Sequence, residues 1–158
     1  MHEFEEPDGE GCRMNVEYIL ARKGREVRTI KPDASLEDAL RRLRTERVGS
    51  LVVSETGTDL LGILSDRDIL DAIADHGTAV LGESVGSAMT EKVFTCSRDA
   101  RVSAIMALMT DRRIRHVPVV EKDGRLCGMI SIGDVVKQRL EEIQGEADAL
   151  REYVTSAS

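Results

Sequence analysis

The sequence predicts an α/β fold of the α+β kind, in which a β-α-β-β-α unit occurs twice and a long helix follows. The first observation is internal repetition: when the sequence is shifted along itself by 66 residues, 11 of the 48 positions from Val27 to Ala74 are identical, without a gap. The second is that helical and strand-like apolar patterns follow in the same order within both copies. Because a unit of about 50 residues buries too little apolar surface on its own, we expect the two copies to pack sheet to sheet.

Each copy is predicted to open with a short strand, Val27–Ile30 in the first and Val93–Cys96 in the second. A helix follows, because apolar residues recur there at intervals of three and four. These residues are Leu36, Ala39, Leu40 and Leu43 in the first copy and Val102, Ile105, Met106 and Met109 in the second. Two further strands and a closing helix complete the unit. They are expected over Ser50–Ser54, over Leu60–Leu64 and from Asp66 in the first copy, and over His116–Val120, over Leu126–Ile130 and from Ile132 in the second.

The repeat also predicts how the chain is divided. Residues 1–14 are expected to form a disordered acidic leader, 15–74 the first repeat, 75–84 a linker, 85–140 the second repeat, and 141–158 a C-terminal helix and tail. Val16–Gly24 is predicted to be a short helix that ends at its glycine. The stretch Asp75–Ser87 carries His76-Gly77 and Gly82 and is therefore predicted to be rich in loops.

The last segment carries an apolar stripe. Its members are Val136, Leu140, Ile143, Ala147, Leu150 and Val154, which are spaced 4, 3, 4, 3 and 4 residues apart. This is the a/d pattern of a long helix that pairs along one face. Two interpretations stay open: the helix packs on its own module, or it pairs with another subunit in a homodimer.

Composition limits the classes of function. The net charge is −7, which disfavours broad binding to nucleic-acid phosphates. No apolar run approaches the roughly 20 residues that span a bilayer, so we expect no membrane association. The cysteines, Cys12, Cys96 and Cys127, have no CxxC spacing, which favours a reducing compartment and hence the cytoplasm. Cys96 and Cys127 fall in predicted strands, where apolar packing is favoured over a redox or metal role.

One motif occurs in both copies where the third strand ends and the closing helix begins. It reads Gly62-Ile63-Leu64-Ser65-Asp66-Arg67-Asp68 in the first copy and Gly128-Met129-Ile130-Ser131-Ile132-Gly133-Asp134 in the second. A serine followed three residues later by an acidic residue can simply cap the helix. The same geometry can bind a ligand, because a helix N-terminus offers free N–H groups to an anion and a carboxylate can accept from two vicinal ribose hydroxyls. The recurrence of the motif in register favours binding.

Cationic residues are concentrated before the second strand of the second copy, in Arg112-Arg113-Ile114-Arg115-His116-Val117-Pro118-Val119. The first copy has Gly49 and Ser50 where the second has Arg115 and His116. Arginine is suited to bidentate phosphate contact, and His116 can add a proton-dependent contact near neutral pH. The asymmetry predicts one strong and one weak phosphate anchor, or a first-copy site that borrows Arg115.

The doubled Gly-h-h-Ser-x-x-Asp motif and the Arg-His-Val-Pro-Val run resemble those of a pair of CBS (cystathionine-β-synthase-like) domains, the Bateman module, over about Val16 to Leu140. The tail from Leu150 to Val154 is similar to that of small stand-alone bacterial CBS-pair proteins. The resemblance implies that the repeats pack with pseudo-twofold symmetry. It also implies a cleft that binds AMP, ADP, ATP, NAD(H) or S-adenosylmethionine, and dimerisation of the module.

The resemblance further implies which residues form the site. Ribose contacts are implied for Ser65, Asp68, Ser131 and Asp134, adenine contacts for the strands Thr29–Lys31 and Thr95–Ser97, and phosphate contacts for Arg115 and His116. Because the small Gly133 leaves room for a phosphate where Asp66 would repel one, the Ser131/Asp134 site is expected to be the better of the two.

These features predict a regulatory module that senses energy or redox state through an adenosine nucleotide and signals to a separate effector protein. S-adenosylmethionine is the less favoured ligand. The alternative is a non-catalytic scaffold that dimerises through its last helix and uses the Ser/Asp pairs only as caps. Nucleic-acid binding through the run Arg112–His116 is a third, less favoured hypothesis. The chain has no GxxxxGKS/T, GxGxxG, HExxH or GxSxG motif, and we expect neither catalysis nor a metal site.

Overall fold

The computed structural model of the protein describes residues 2–3 and 14–157. Its elements, in chain order, are β1 (His2–Glu3), α1 (Val16–Lys23), β2 (Thr29–Ile30), α2 (Leu36–Glu46), β3 (Ser50–Val53), β4 (Gly62–Ser65), α3 (Asp66–His76), α4 (Val85–Ala88), β5 (Phe94–Thr95), α5 (Val102–Arg112), β6 (His116–Val120), β7 (Leu126–Ser131) and α6 (Ile132–Ser156). A 3-10 helix, Thr78–Gly82, lies between α3 and α4. The predicted β-α-β-β-α order is confirmed in both copies, with a helix that continues from the second.

The two copies pair their strands in the same register. In the first, β2 runs parallel to β3, with Ile30 opposite Val53, and β3 runs antiparallel to β4. In the second, the parallel pairing is the bridge between Cys96 and Val119, each 66 residues further on, and β6 and β7 are antiparallel. The opening strands β2 and β5 are two residues long rather than the predicted four, because only these residues pair as a ladder.

The leading helix of each copy packs on the other copy. Helix α1 buries Val16 and Leu20 in the apolar core of the second copy. The Val16 N–H donates to the Ala100 carbonyl at 2.8 Å and fixes the helix there. Helix α4 takes the equivalent place in the first copy, where the Val85 N–H donates to the Ala34 carbonyl at 2.8 Å. We call α1 and α4 the exchanged leading helices.

Each of the two predicted repeat segments therefore includes a helix that packs on the other copy. The segment 15–74 includes α1, whose apolar face is buried in the second core, and the segment 85–140 begins with α4, which packs on the first. The stretch Asp75–Ser87 is also not rich in loops, because the end of α3, the 3-10 helix and α4 occupy most of it. Val80 and Val85 are buried in the first core, and their burial keeps this stretch in helical turns.

The predicted leader, residues 1–14, lies mostly outside the described residues. Of that segment, β1 pairs in parallel with Phe94–Thr95. The carbonyl of Met14 accepts from the Val102 N–H at 3.2 Å, and its side chain packs against the second core. The described part of the segment thus belongs to the second copy through backbone pairing, which a charge pattern does not reveal.

The predicted core of α2 is confirmed except at one position. Leu36, Ala39 and Leu43 are buried, but Leu40 is 40% exposed. Met106, which stands 66 residues on in α5, is only partly buried. With 3.6 residues per turn, this position lies at the edge of the face that the buried positions of each helix form, which leaves it partly exposed in both copies.

The last helix begins at Ile132 and continues to Ser156, so it starts before the predicted segment 141–158. Its first turns pack on β7 and α5 and bury Gln138. The predicted stripe lies on the opposite, exposed side, where Leu140 is 61% and Leu150 is 65% exposed. Within residues 14–157, this side of the helix does not pack on its own module.

The described residues contain no helix that is long and apolar enough to cross a membrane. They also hold no group of three or more His, Cys, Asp or Glu side chains that could bind a metal ion. Cys96 is fully buried, and the Cys127 thiol donates to the Val119 carbonyl at 3.4 Å. Burial raises the pKa of the Cys127 thiol, which keeps it protonated and favours a packing role. Cys12 lies outside the described residues.

Candidate functional site

The Ser-x-x-Asp motif forms a complete capping box in both copies. Ser65 accepts from the Asp68 N–H at 3.2 Å, and Asp68 accepts from the Ser65 N–H at 2.8 Å. Ser131 and Asp134 make the same two bonds at 3.2 and 2.9 Å. The capping interpretation is therefore confirmed. An ionised carboxylate has about four lone-pair sites, so capping leaves it able to bind a ligand as well.

In the first copy, Ser65 and Asp68 line a single pocket of about 220 Å³. The Thr90 hydroxyl reaches the Asp68 carboxylate at 3.4 Å. Two backbone hydrogen bonds to Ile63, at 2.9 and 3.0 Å, hold Thr90 beside the carboxylate. The charged residues that line the pocket are Asp68, Asp71, Arg67, Lys92, Arg113 and Arg115. Carboxylates and four cations thus face one space at the start of α3.

The basic run before β6 is not one continuous surface. Arg112 lies over the Phe94 ring, with 5.1 Å between the guanidinium carbon and the ring centroid. Arg113 ends α5 in the left-handed conformation, with φ of 53°, and lines the pocket of the first copy. Arg115 pairs with Asp66 at 3.3 Å. The Asp66 carboxylate, which was expected to repel phosphate, is therefore paired with an arginine from the other copy.

His116 lies between the two copies and lines a pocket on each side. Its ring fits against Gly49, where a Cβ atom would stand 3.1 Å from the ring Cε1. Burial, together with the charge of Arg115, lowers the pKa of His116. The imidazole is therefore mostly neutral at pH 7 and meets a ligand as a hydrogen-bonding group rather than as a cation.

In the second copy, two cavities divide the motif. Ser131 lines a pocket of about 390 Å³, whereas Asp134 lines a separate cavity of about 160 Å³. Lys23 lines both, and its ammonium donates to the Asp134 carboxylate at 2.6 Å and to the Met129 carbonyl at 2.7 Å. Burial raises the pKa of Asp134, but the hydrogen bonds from Lys23 and Ser131 outweigh it, and the net pKa is below the ordinary value.

The structure thus brings together Ser65, Asp68, Arg115 and His116 in one pocket. This is the arrangement in which the first copy borrows Arg115. At the Ser131/Asp134 site, which is expected to be the better of the two, Arg115 does not line the cavity that holds Asp134, and Lys23 pairs with the carboxylate instead. The ranking of the two sites stays a prediction.

The other residues implied by the resemblance are not among those that line these pockets. Thr95 is 1% exposed within β5, and Thr29 lies in β2, where its carbonyl accepts from Arg42. Lys31 is exposed. A Cβ atom at Gly133 would lie 3.7 Å from the Ser131 hydroxyl, which is ordinary contact, so the space beside it is open. Their contacts with a ligand stay predictions.

The residues of the site that were not identified from the sequence include Lys23, Thr90 and Lys92, and also Asp71. Lys23 stands in the last turn of α1, where a basic residue is common because it complements the helix dipole. Thr90 and Lys92 precede β5 in a stretch without a motif. Nothing local to these positions separates them from ordinary surface residues.

Comparison with known proteins gives a consistent result. The profile of the CBS domain family matches residues 22–75 and 85–141. The mitochondrial CBS domain-containing protein CBSX3 of Arabidopsis thaliana is 40% identical over 126 residues, which cover 77% of this chain but only 61% of that protein. The CBS-domain containing protein ATU1752 from Agrobacterium tumefaciens is 44% identical, with a TM-score of 0.75 over 79% of this chain and 98% of that chain. CBSX2, whose crystal structure was solved in complex with AMP, is 29% identical in sequence, and its structure matches with a TM-score of 0.64 over 73% of this chain and 88% of that chain.

Proposed function

The chain belongs to the CBS domain family, and from this premise we propose that it is a regulatory, non-catalytic module whose cleft binds an adenosine nucleotide. The ligand is AMP, ADP, ATP or NAD(H), with S-adenosylmethionine less favoured. The observation that carries the proposal is the pocket at the start of α3, where the Asp68 carboxylate and four cationic side chains face one space. The AMP complex of CBSX2 supports the same class of ligand.

Each part of such a ligand has a chemical counterpart in this pocket. The two ribose hydroxyls can donate to the Asp68 carboxylate. Arg113 and Arg115 suit a phosphate, because the planar guanidinium binds two phosphate oxygens at once. Val93 and Ile114 add apolar surface for the adenine ring. The pocket therefore matches a nucleoside phosphate better than it matches a plain sugar or a free phosphate.

Binding there can act on the packing of the two copies, because both copies contribute to the pocket. Asp68 comes from the first copy and Arg115 from the second, and Arg115 already bridges the copies through its pair with Asp66. A phosphate that draws Arg115 away from Asp66 changes the contact between them. The effect can be no larger than the difference in the nucleotide's affinity for the two arrangements. A separate effector protein would read the change.

Exposed apolar residues on the module support a homodimer. Leu70 on α3 is 64% exposed and Val136 on α6 is 47% exposed, and these two positions are 66 residues apart. Leu40 on α2 is 40% exposed. A repeated position that is apolar and exposed in both copies suits a symmetric occupant, which meets the two copies through equivalent residues. We take that occupant to be a second copy of this chain.

The far part of α6 is proposed to pair in parallel with the same helix of that copy. The stripe has the a/d period, with Leu140, Ala147 and Val154 at a positions. In that frame Glu146 falls at g and Arg151 at e. In a parallel pair, g of one helix meets e of the next heptad on the other, so opposite charges meet here.

Nucleotide binding is tested by thermal unfolding and titration calorimetry with AMP, ADP, ATP, NAD⁺ and NADH. A ligand at 100 times its Kd should add about 2.7 kcal/mol to the free energy of unfolding, and roughly 5–10 °C to the Tm. Asp68→Ala should abolish this shift. Asp38→Ala is the matched control, because Asp38 occupies the same third position of α2 after the capping Ser35 but lines none of these pockets.

A scaffold without nucleotide binding is the second candidate, and the complete capping boxes favour it. In that case Asp68→Ala costs only the cap, about 0.5–2 kcal/mol, and every nucleotide leaves the wild-type transition unmoved. The same two measurements therefore separate the candidates.

A further inference from the structure

One ion pair distinguishes the second copy of the motif from the first. Lys23 contacts Asp134 at 2.6 Å, with side chains that are 32% and 22% exposed. In the first copy, the Asp68 carboxylate instead accepts hydrogen bonds from the hydroxyls of Ser65, at 3.0 Å, and Thr90, at 3.4 Å. The equivalent carboxylates thus meet an ammonium in one copy and neutral donors in the other.

The difference originates in the lengths of the exchanged leading helices. Leu20 of α1 lies against Gly128, and Met89, just after α4, lies against Gly62. These glycines are the first residues of the two copies of the motif. A lysine follows Leu20 and Met89 three residues later, Lys23 and Lys92 respectively. Helix α1 continues through Lys23 and brings its ammonium to Asp134, whereas α4 ends at residue 88 and Lys92 lines the open pocket of the first copy.

We propose that Lys23 is an internal competitor for nucleotide at the second site, so that the two sites fill unequally and the Ser65/Asp68 pocket fills first. The proposal rests on the nucleotide-binding function proposed above. The ammonium holds the carboxylate that the ribose of a second nucleotide would have to contact. Lys23 also lines both the cavity of about 160 Å³ that holds Asp134 and the pocket of about 390 Å³ that holds Ser131.

Both consequences of the contact weaken the second site. A ribose that reaches Asp134 must displace a charge-assisted hydrogen bond, which corresponds to about 10- to 100-fold in affinity. The displaced ammonium also loses the Met129 carbonyl, at 2.7 Å, as a partner. The second site therefore responds only at a higher nucleotide concentration, and one chain carries two thresholds for the same ligand.

Titration calorimetry of the full chain with AMP tests the proposal. Wild-type protein should bind one AMP per chain tightly, and Asp68→Ala should remove that site. Lys23→Met should bring a second AMP into the measurable range, with an affinity at least about tenfold higher than in the wild type. The same substitution at the equivalent lysine of the first site, Lys92→Met, should instead weaken that site. Arg25→Met removes a charge close to Lys23 without touching Asp134 and should leave one AMP per chain.

Different failures have different meanings. Two equal AMP sites in the wild type, loss of binding in Asp134→Ala with retention in Asp68→Ala, or an unchanged stoichiometry in Lys23→Met would each overturn the role of Lys23 and leave nucleotide binding intact. If neither the wild type nor Lys23→Met binds any nucleotide tested, the proposed function itself is overturned.

A ligand-free readout checks the ion pair directly. The NMR titration of the Asp134 carboxyl carbon should move to a higher pKa in Lys23→Met, because the ammonium that stabilises the carboxylate is gone. Lys23→Gln serves if the methionine variant does not fold. An unshifted titration in either variant would contradict the proposal.

Discussion

The contact between Leu20 and Gly128 provides a quantitative test of the exchanged leading helices. A Cβ atom at Gly128 would lie 2.7 and 2.8 Å from the two terminal methyl carbons of Leu20 and 3.3 Å from its Cγ. Leu20 is fully buried. Gly128 has no positive φ, so an added methyl group meets a steric conflict and no backbone strain. Gly128→Ala therefore reports on the space that α1 occupies over β7.

The magnitudes follow from what each substitution removes or adds. Gly128→Ala overpacks the contact and should cost about 1–3 kcal/mol in the free energy of unfolding. Leu20→Ala creates a cavity and should cost about 2–5 kcal/mol. Because Leu20→Ala removes all three of the conflicting atoms, the double variant should be less destabilised than the sum of the single variants by at least about 1 kcal/mol.

Urea unfolding followed by circular dichroism, on the wild type, both single variants and the double variant, measures this coupling. The control cycle pairs Gly128→Ala with Arg41→Ala, since the Arg41 side chain is 70% exposed and lies on α2 of the first copy. The control should be additive. If Gly128→Ala and Leu20→Ala were also additive within about 0.5 kcal/mol, α1 would not pack on the second copy as described.

Other consequences can be tested in the same protein. The pKa of His116 is lowered from 6.5 in the folded state, so acidification below about pH 6.5 should destabilise the wild type more than His116→Gln; parallel stability curves from pH 7 to 5 would contradict this. Leu150→Asp should convert the proposed dimer to a monomer in sedimentation velocity with a stable monomer fold, because Leu150 is 65% exposed, whereas Ala149→Asp, off the stripe, should leave that dimer intact. The pKa of Asp59 is lowered to about 2, chiefly by the Ser54 hydroxyl, so Asp59→Asn should lose stability relative to the wild type above pH 4, and the difference should shrink as the pH falls from 3.8 towards 2.

Local interactions explain why much of the fold could be predicted. The starts of α3 and α6 depend on a serine and an aspartate three residues apart, and those bonds form within one turn of chain. The apolar period of α2 predicted its buried face, with Leu40 as the exception. The prediction from sequence failed where the residues in contact are far apart in the chain. The stretch Asp75–Ser87 was predicted to be rich in loops from its glycines, but it is mostly helical because Val80 and Val85 are buried in the first core.

The candidate site shows the same division. Ser65, Asp68 and Arg115 could be identified because they stand in a repeated motif and in a break of the repeat's symmetry. Their assembly into one pocket could not be predicted from the sequence, since the sequence allows Arg115 to serve either copy. Lys23 could not be identified at all, because its importance depends on a carboxylate 111 positions away.

The sequence by itself determined that two similar units exist, where their helices begin, and that the last helix carries an apolar stripe. Those properties depend on neighbours within a few residues and on the period of the apolar pattern. Only the tertiary structure decided that α1 packs on the second copy, that Arg115 faces Asp66, and that Lys23 holds Asp134. Hydrophobic periodicity shows that a face is buried, but the shape and charge of remote surfaces decide what buries it.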